Sequence, residues 1–210
     1  MTTLLHSSPL NPYIDDLLHL IWVGTNPRPT SFDFHVAKWR ELMPSWSIRV
    51  WTNEDITSEN FDEPTLALIH KAEKGVQKAD IMRYSIIEKY GGFYMDGDMI
   101  PIHTLEPLRF LNELVICHDN YITWEYISIG FFGARPHHPV FQKAKDYCIT
   151  TSVLNTNAPH VETGPRVFGH VILNLNPSCY ILPWGSFYPG VQDDMPNIRF
   201  GDHIYAKNWT

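Results

Sequence analysis

Short, almost unbroken apolar runs alternate along this chain with longer stretches in which apolar residues recur every three or four positions. The run Leu17-Leu18-His19-Leu20-Ile21-Trp22-Val23-Gly24, closed by Asn26-Pro27-Arg28-Pro29, reads as a buried strand ended by turn formers. Val36, Trp39 and Leu42 or Met43 keep helical spacing in a stretch from Phe34 to Leu42 that stops before Pro44, and Ile48–Trp51 is a second short strand. That strand–helix–strand order predicts a parallel α/β sheet.

The middle carries a stronger pattern. A helix is predicted over 64–74, interrupted by Gly75, and a firmer one over 76–90, where Ala79, Met82, Ile86 and Tyr90 form a core-facing stripe. Asp80 and Arg83 lie three apart on one polar side, which Tyr84 continues. Gly91-Gly92 ends the helix. Phe93-Tyr94-Met95 enters as a strand and runs at once into Asp96-Gly97-Asp98. Strands are further predicted at 114–117 and 130–134, and helices at 139–150 and 167–174. The proline-dense remainder beyond residue 155 reads mostly as loop.

Composition narrows the class. At 210 residues and 44% hydrophobic, the chain suits a single domain over 1–210 with a sizeable core. A net charge of −7 with no Lys/Arg run argues against a nucleic-acid partner. It also means that a phosphorylated ligand would need a local cation. Three cysteines without a C-x-x-C pair point to a reduced, cytoplasmic setting. The first ten residues have no basic flank and no long apolar run, so neither a signal peptide nor a transmembrane anchor is expected.

Asp96 and Asp98 flank a glycine directly after a buried strand. Alternate residues of an extended chain point the same way, so both carboxylates can face one ligand. Paired hard oxygens suit Mn²⁺ or Mg²⁺, which keep positions open for water and phosphate. In a chain with thirteen Asp the Asp-x-Asp spacing alone is near chance, and such a pair in a turn is more often solvated than metal-bound. Asp80 and Arg83, on the helix leading into it, are either a surface ion pair or a carboxylate for sugar hydroxyls and a guanidinium for a diphosphate.

The strings Lys78-Ala79-Asp80-Ile81-Met82-Arg83-Tyr84 and Tyr90-Gly91-Gly92-Phe93-Tyr94-Met95-Asp96-Gly97-Asp98 resemble the signature of family thirty-two glycosyltransferases, the DXD-containing sugar transferases of bacterial polysaccharide synthesis and fungal mannan initiation. They are also similar to the catalytic domain of the clostridial glucosylating toxins. Leu18–Gly24, Met43-Pro44, Arg135–Pro139, Thr163-Gly164-Pro165 and Phe187-Tyr188-Pro189 resemble further family segments in order. The resemblance implies a GT-A domain, a mostly parallel twisted sheet flanked by helices. It implies a metal-dependent transfer, with retention, from a nucleotide-sugar donor (UDP favoured over GDP) to a glycan or other hydroxyl acceptor.

Residue by residue, it implies that Trp22 stacks on the base or packs in the core. Asp80 and Arg83 would contact the donor sugar and phosphate, and Tyr94 would line the nucleotide pocket. Asp96 would reach the ribose or the metal, and Asp98 would ligate the metal with Mn²⁺ or Mg²⁺ as cofactor. Asn208 stands where the family has a metal-binding His, and His203 competes for that place. Ile129 replaces the family's Asn before the Gly-Phe strand, leaving Glu125, Ser128 or Asp119 for the acceptor side. Two alternatives stay open: a non-catalytic nucleotide-sugar or glycan-binding module, and a different enzyme with paired Asp.

Overall fold

The structure, a computed structural model, describes residues 11–119, 127–151, 154, 158–188 and 198–206. Its elements are β1 (Leu17–Ile21), α1 (Thr30–Leu42), β2 (Ser47–Trp51), α2 (Glu63–Lys71), α3 (Gly75–Tyr90), β3 (Gly92–Met95), β4 (Met99–Pro101), β5 (Leu114–His118), β6 (Ile127–Ala134), α4 (Pro139–Thr151), α5 (Pro159–Glu162), α6 (Pro165–Leu175), β7 (Tyr180–Leu182) and β8 (Gly201–His203). Six strands form one sheet in the order β2-β1-β3-β6-β5-β7, and β4 pairs with β8 in a separate ribbon. β1 is parallel to β2 and β3, and β7 is parallel to β5; β6 alone runs against both of its neighbours. The sheet is therefore mostly parallel, as predicted.

The apolar runs are unbroken because the sheet is covered on both faces. Tyr94, Ile116 and Phe132 enter one core with Ile81, Ile87, Phe141 and Phe168. Their chain neighbours Phe93, Val115, Cys117 and Phe131 enter the other with Trp39 and Phe187. That division is the two-residue period of a strand. Gly91 and Gly92 adopt φ of 65° and 81°, and a Cβ on Gly92 would stand 2.5 Å from the Leu17 carbonyl oxygen. Only glycine turns α3 into β3 this tightly.

Helix α3 corrects the predicted stripe. Gln77 and every residue from Asp80 to Ile87 are buried, so its polar side is not a solvent face. Tyr84, read as continuing that side, is fully buried, stacks on Phe168, and donates its hydroxyl to the Thr163 carbonyl at 3.0 Å. The second half also holds more order than the predicted loop, with α5, β7 and β8 beyond residue 155. Elements of three or four residues show no period of their own; β7 and β8 exist because β5 and β4 offer them edges.

One polar group buried in the sheet is fully paired. Trp51 Nε1 donates to His19 Nδ1 at 3.0 Å, which places the imidazole proton on Nε2, 3.1 Å from the Gly91 carbonyl oxygen. Burial holds this neutral ring's pKa down to about 4. None of the three cysteines forms a disulfide. No described helix is long and apolar enough to cross a membrane.

Candidate functional site

A cleft of about 870 Å³ opens where β1, β3 and α3 meet the C-terminal segments. Trp22, Asp80, Arg83, Tyr94, Asp96, Asp98 and His203 all line it, which unites the site residues read from the sequence. Asn208 lies outside the described residues, as does Glu125.

The α3 side is an ion chain. Arg83 Nη2 lies 3.0 Å from Asp80 Oδ1, and its Nη1 lies 3.3 Å from Asp96 Oδ1 while donating to the Ile129 carbonyl at 2.7 Å. Its guanidinium also stands 4.5 Å from the centre of the Tyr94 ring. Burial opposes the charge on Arg83, yet Tyr94, Asp96 and Asp80 outweigh it and hold the group protonated. Asp80 accepts a hydrogen bond from the Thr163 hydroxyl at 2.9 Å, but full burial dominates and raises its carboxyl to about 6. This is a buried, oriented pair rather than a surface salt bridge.

The second half of the site begins at the turn after β3. Tyr94 donates to Asp96 Oδ1 at 2.6 Å, and the Asp96 amide donates to the Gly130 carbonyl at 2.9 Å. A Cβ on Gly97 would come within 2.1 Å of the Phe32 ring, and one on Gly130 within 2.8 Å of both Asp96 Oδ2 and the Tyr188 hydroxyl. Gly130 thus leaves room beside the Asp96 carboxylate, and Gly97 lets the Phe32 ring pack against the turn between the two aspartates. Asp98 is 6% exposed, and the Ala206 amide donates to its Oδ2 at 2.9 Å.

His203 comes in on β8, whose pairing sets it opposite Met99, next to Asp98 in sequence. Its Nε2 is 3.0 Å from Asp98 Oδ1 and 3.9 Å from Asp96 Oδ2. Burial works against the imidazolium, but the two carboxylates raise its pKa. The partnership with His203 and the Ala206 amide likewise lowers the pKa of Asp98 against its own burial. Even so, neither Asp98 Oδ1 nor His203 Nε2 makes a hydrogen bond of good geometry, and both are buried.

A buried ligating atom without a hydrogen-bond partner is costly, by about 1–3 kcal/mol. Asp98 and His203 each present such an atom, and together with a carboxylate oxygen of the half-buried Asp96 these ligand atoms lie within 4.8 Å of one another. Two carboxylates and an imidazole fit a divalent ion that keeps open positions.

Residues 29–116 match the model of a glycosyltransferase sugar-binding region containing the DXD motif. These residues are similar to the DXD region of glycosyltransferases. That stretch holds Asp80, Arg83, Tyr94, Asp96 and Asp98, so the resemblance read from the sequence is borne out. An uncharacterized glycosyltransferase of Acanthamoeba polyphaga mimivirus is 28% identical over 74% of this chain and 63% of its own length. The inositol phosphoceramide mannosyltransferase 1 of Schizosaccharomyces pombe is 29% identical over 62% of this chain and 41% of its own length. The chain thus spans less than two thirds of either relative.

Among solved structures, the PaToxG glycosyltransferase superposes with a TM-score of 0.65 at 17% identity, covering 80% of this chain and 71% of that one. The UDP-bound glycosyltransferase domain of the YGT toxin superposes with a TM-score of 0.58 at 9% identity, over 82% and 80%. The chain shares their GT-A fold.

Several contacts escaped the sequence reading. Thr163 and Tyr188 stood in strings noted for their resemblance, but nothing local tied Thr163 to Asp80 or Tyr188 to Ser128, whose hydroxyls are bonded. Ile129, the departure from the family's Asn, serves Arg83 through its backbone oxygen, which any side chain would allow. Trp22 lines the cleft with its Nε1 donating to the Asn26 carbonyl at 3.1 Å and its ring edge-on to Phe32.

Proposed function

We propose that this domain, read as one unit over 1–210, is a metal-dependent glycosyltransferase that takes a nucleotide-sugar donor, UDP-linked before GDP-linked, and a glycan or other hydroxyl acceptor. The observation that carries the reading is the buried Asp98–His203 contact, whose facing atoms share no hydrogen bond, set beside Asp96 at the end of the Arg83 ion chain. Mn²⁺ or Mg²⁺, held by Asp96, Asp98 and His203, would supply positive charge to a departing nucleoside diphosphate. Asn208 is the other ligand that the resemblance suggests, its carbonyl oxygen being an acceptable donor.

Arg83 shares in that charge from the opposite side, fixed in place by Asp80, Asp96 and the Ile129 carbonyl. Asp80, its second oxygen held by Thr163, faces the donor sugar. Trp22 and Tyr94 flank the nucleotide. Transfer proceeds with retention: the acceptor attacks from the face the diphosphate leaves, and a diphosphate oxygen takes the acceptor's proton, so no separate base is assigned. The test is incubation with UDP- and GDP-sugars plus Mn²⁺, following release of nucleoside diphosphate. Release from at least one donor, abolished by chelation, is expected. Failure with every donor, together with no calorimetric binding, overturns the reading.

A further inference from the structure

Asp119, just past β5, lines the same cleft as the Asp80–Arg83–Asp96 chain but takes no part in it. Its Oδ1 is buried and accepts no hydrogen bond. No Lys, Arg or His among the described residues pairs with it, and its neighbours are the buried Cys117 and the phenols of Tyr188 and Tyr205, all of whose protons its charge helps to retain. Burial raises its own carboxyl to about 6, against the pull of its own backbone amide. Tyr188 and Tyr205 also pack around His203, with ring centres 5.4 and 4.2 Å away, so Asp119 adjoins the carboxylate corner through them.

Asp119 thus brings to the cleft a carboxylate with one orphaned oxygen, which a hydrogen-bond donor on a ligand would satisfy. A phosphate would be repelled by it, and without a second ligating side chain it is a poor cation site. A neutral hydroxyl supplies what the oxygen lacks. We propose that Asp119 binds the acceptor, accepting a hydrogen bond from a hydroxyl of an uncharged sugar or polyol that enters beside the donor. The proposal rests on the glycosyltransferase reading of this cleft.

The test uses the intact chain, a donor that it turns over, and methyl glycosides of glucose, galactose and mannose as acceptor probes. Donor sugar is partitioned between glycoside product and free sugar. Asp119→Asn, nearly isosteric, is expected to lower the transfer-to-hydrolysis ratio about tenfold and to raise KM for the glycoside, and Asp119→Ala to do so at least as strongly. A ratio unchanged in the Asn variant, or loss of donor affinity in step with transfer, overturns it, the latter marking Asp119 as a donor-sugar contact.

If wild type turns over no donor, the transferase reading fails, and Asp119 is then judged by saturation-transfer NMR of the same glycosides. Binding by wild type that Asp119→Asn removes supports the acceptor site; equal binding by both, or by neither, refutes it.

Discussion

The two walls of the cleft are built by opposite means. On one, Asp80, Arg83, Tyr94, Asp96 and Asp98 come from a single helix–turn–strand of nineteen residues, and helix spacing and strand alternation aim them. On the other, Thr163, Tyr188 and His203 come from short segments without a pattern of their own, held by contacts that span the chain. Thr163 reaches Asp80 across 83 positions and Ala206 reaches Asp98 across 108. The first wall supplies the charges, and the second fixes their states: Thr163 engages Asp80, and His203 lowers the pKa of Asp98.

If both walls form one metal corner, breaking it from either side should cost alike. Asp98→Asn is expected to lower nucleoside diphosphate release by about 10²–10³-fold, and His203→Ala to fall in the same range. Release kinetics of the two variants, with folding checked by circular dichroism, measure this. A His203 variant near wild-type rate would make the ribbon a mere cover and leave the charges to the first wall.

A smaller effect separates scaffold from site. His19 titrates near 6.5 in the unfolded chain but near 4 when folded, so between those values the unfolded state binds the extra proton. Its contribution to stability is present above pH 6.5 and is lost as pH falls toward 4. Urea unfolding of wild type and His19→Gln should show a wild-type advantage on the order of 2–3 kcal/mol at neutral pH, shrinking steadily in acid. An advantage independent of pH would contradict a neutral buried imidazole. Asp80 and Asp119, both raised to about 6, act with the opposite sign, and the difference between the two proteins removes them.

The contrast between the walls also accounts for what the sequence disclosed. β1, β3, β5 and β6 were legible because a sheet covered on both faces demands unbroken apolar runs, and the end of α3 because Gly91-Gly92 leaves no other local solution. Asp96 and Asp98 were legible because one glycine separates them at a strand end. The burial of Tyr84 was not, since a tyrosine on a helix reads as polar until a partner such as the Thr163 carbonyl is known. Nor could His203 be chosen over Asn208: β8 has three residues, and only pairing with β4 brings the imidazole to Asp98.

Binding of Mn²⁺ to the intact chain, followed by the paramagnetic resonance signal of the free ion, bears most directly on the corner made by Asp96, Asp98 and His203. Wild type should bind one ion tightly enough to deplete the free signal, more so with UDP or GDP present, whereas Asp98→Asn and His203→Ala should leave that signal at its protein-free level. Equal depletion by all three proteins, or none by wild type even with nucleotide, would contradict the account.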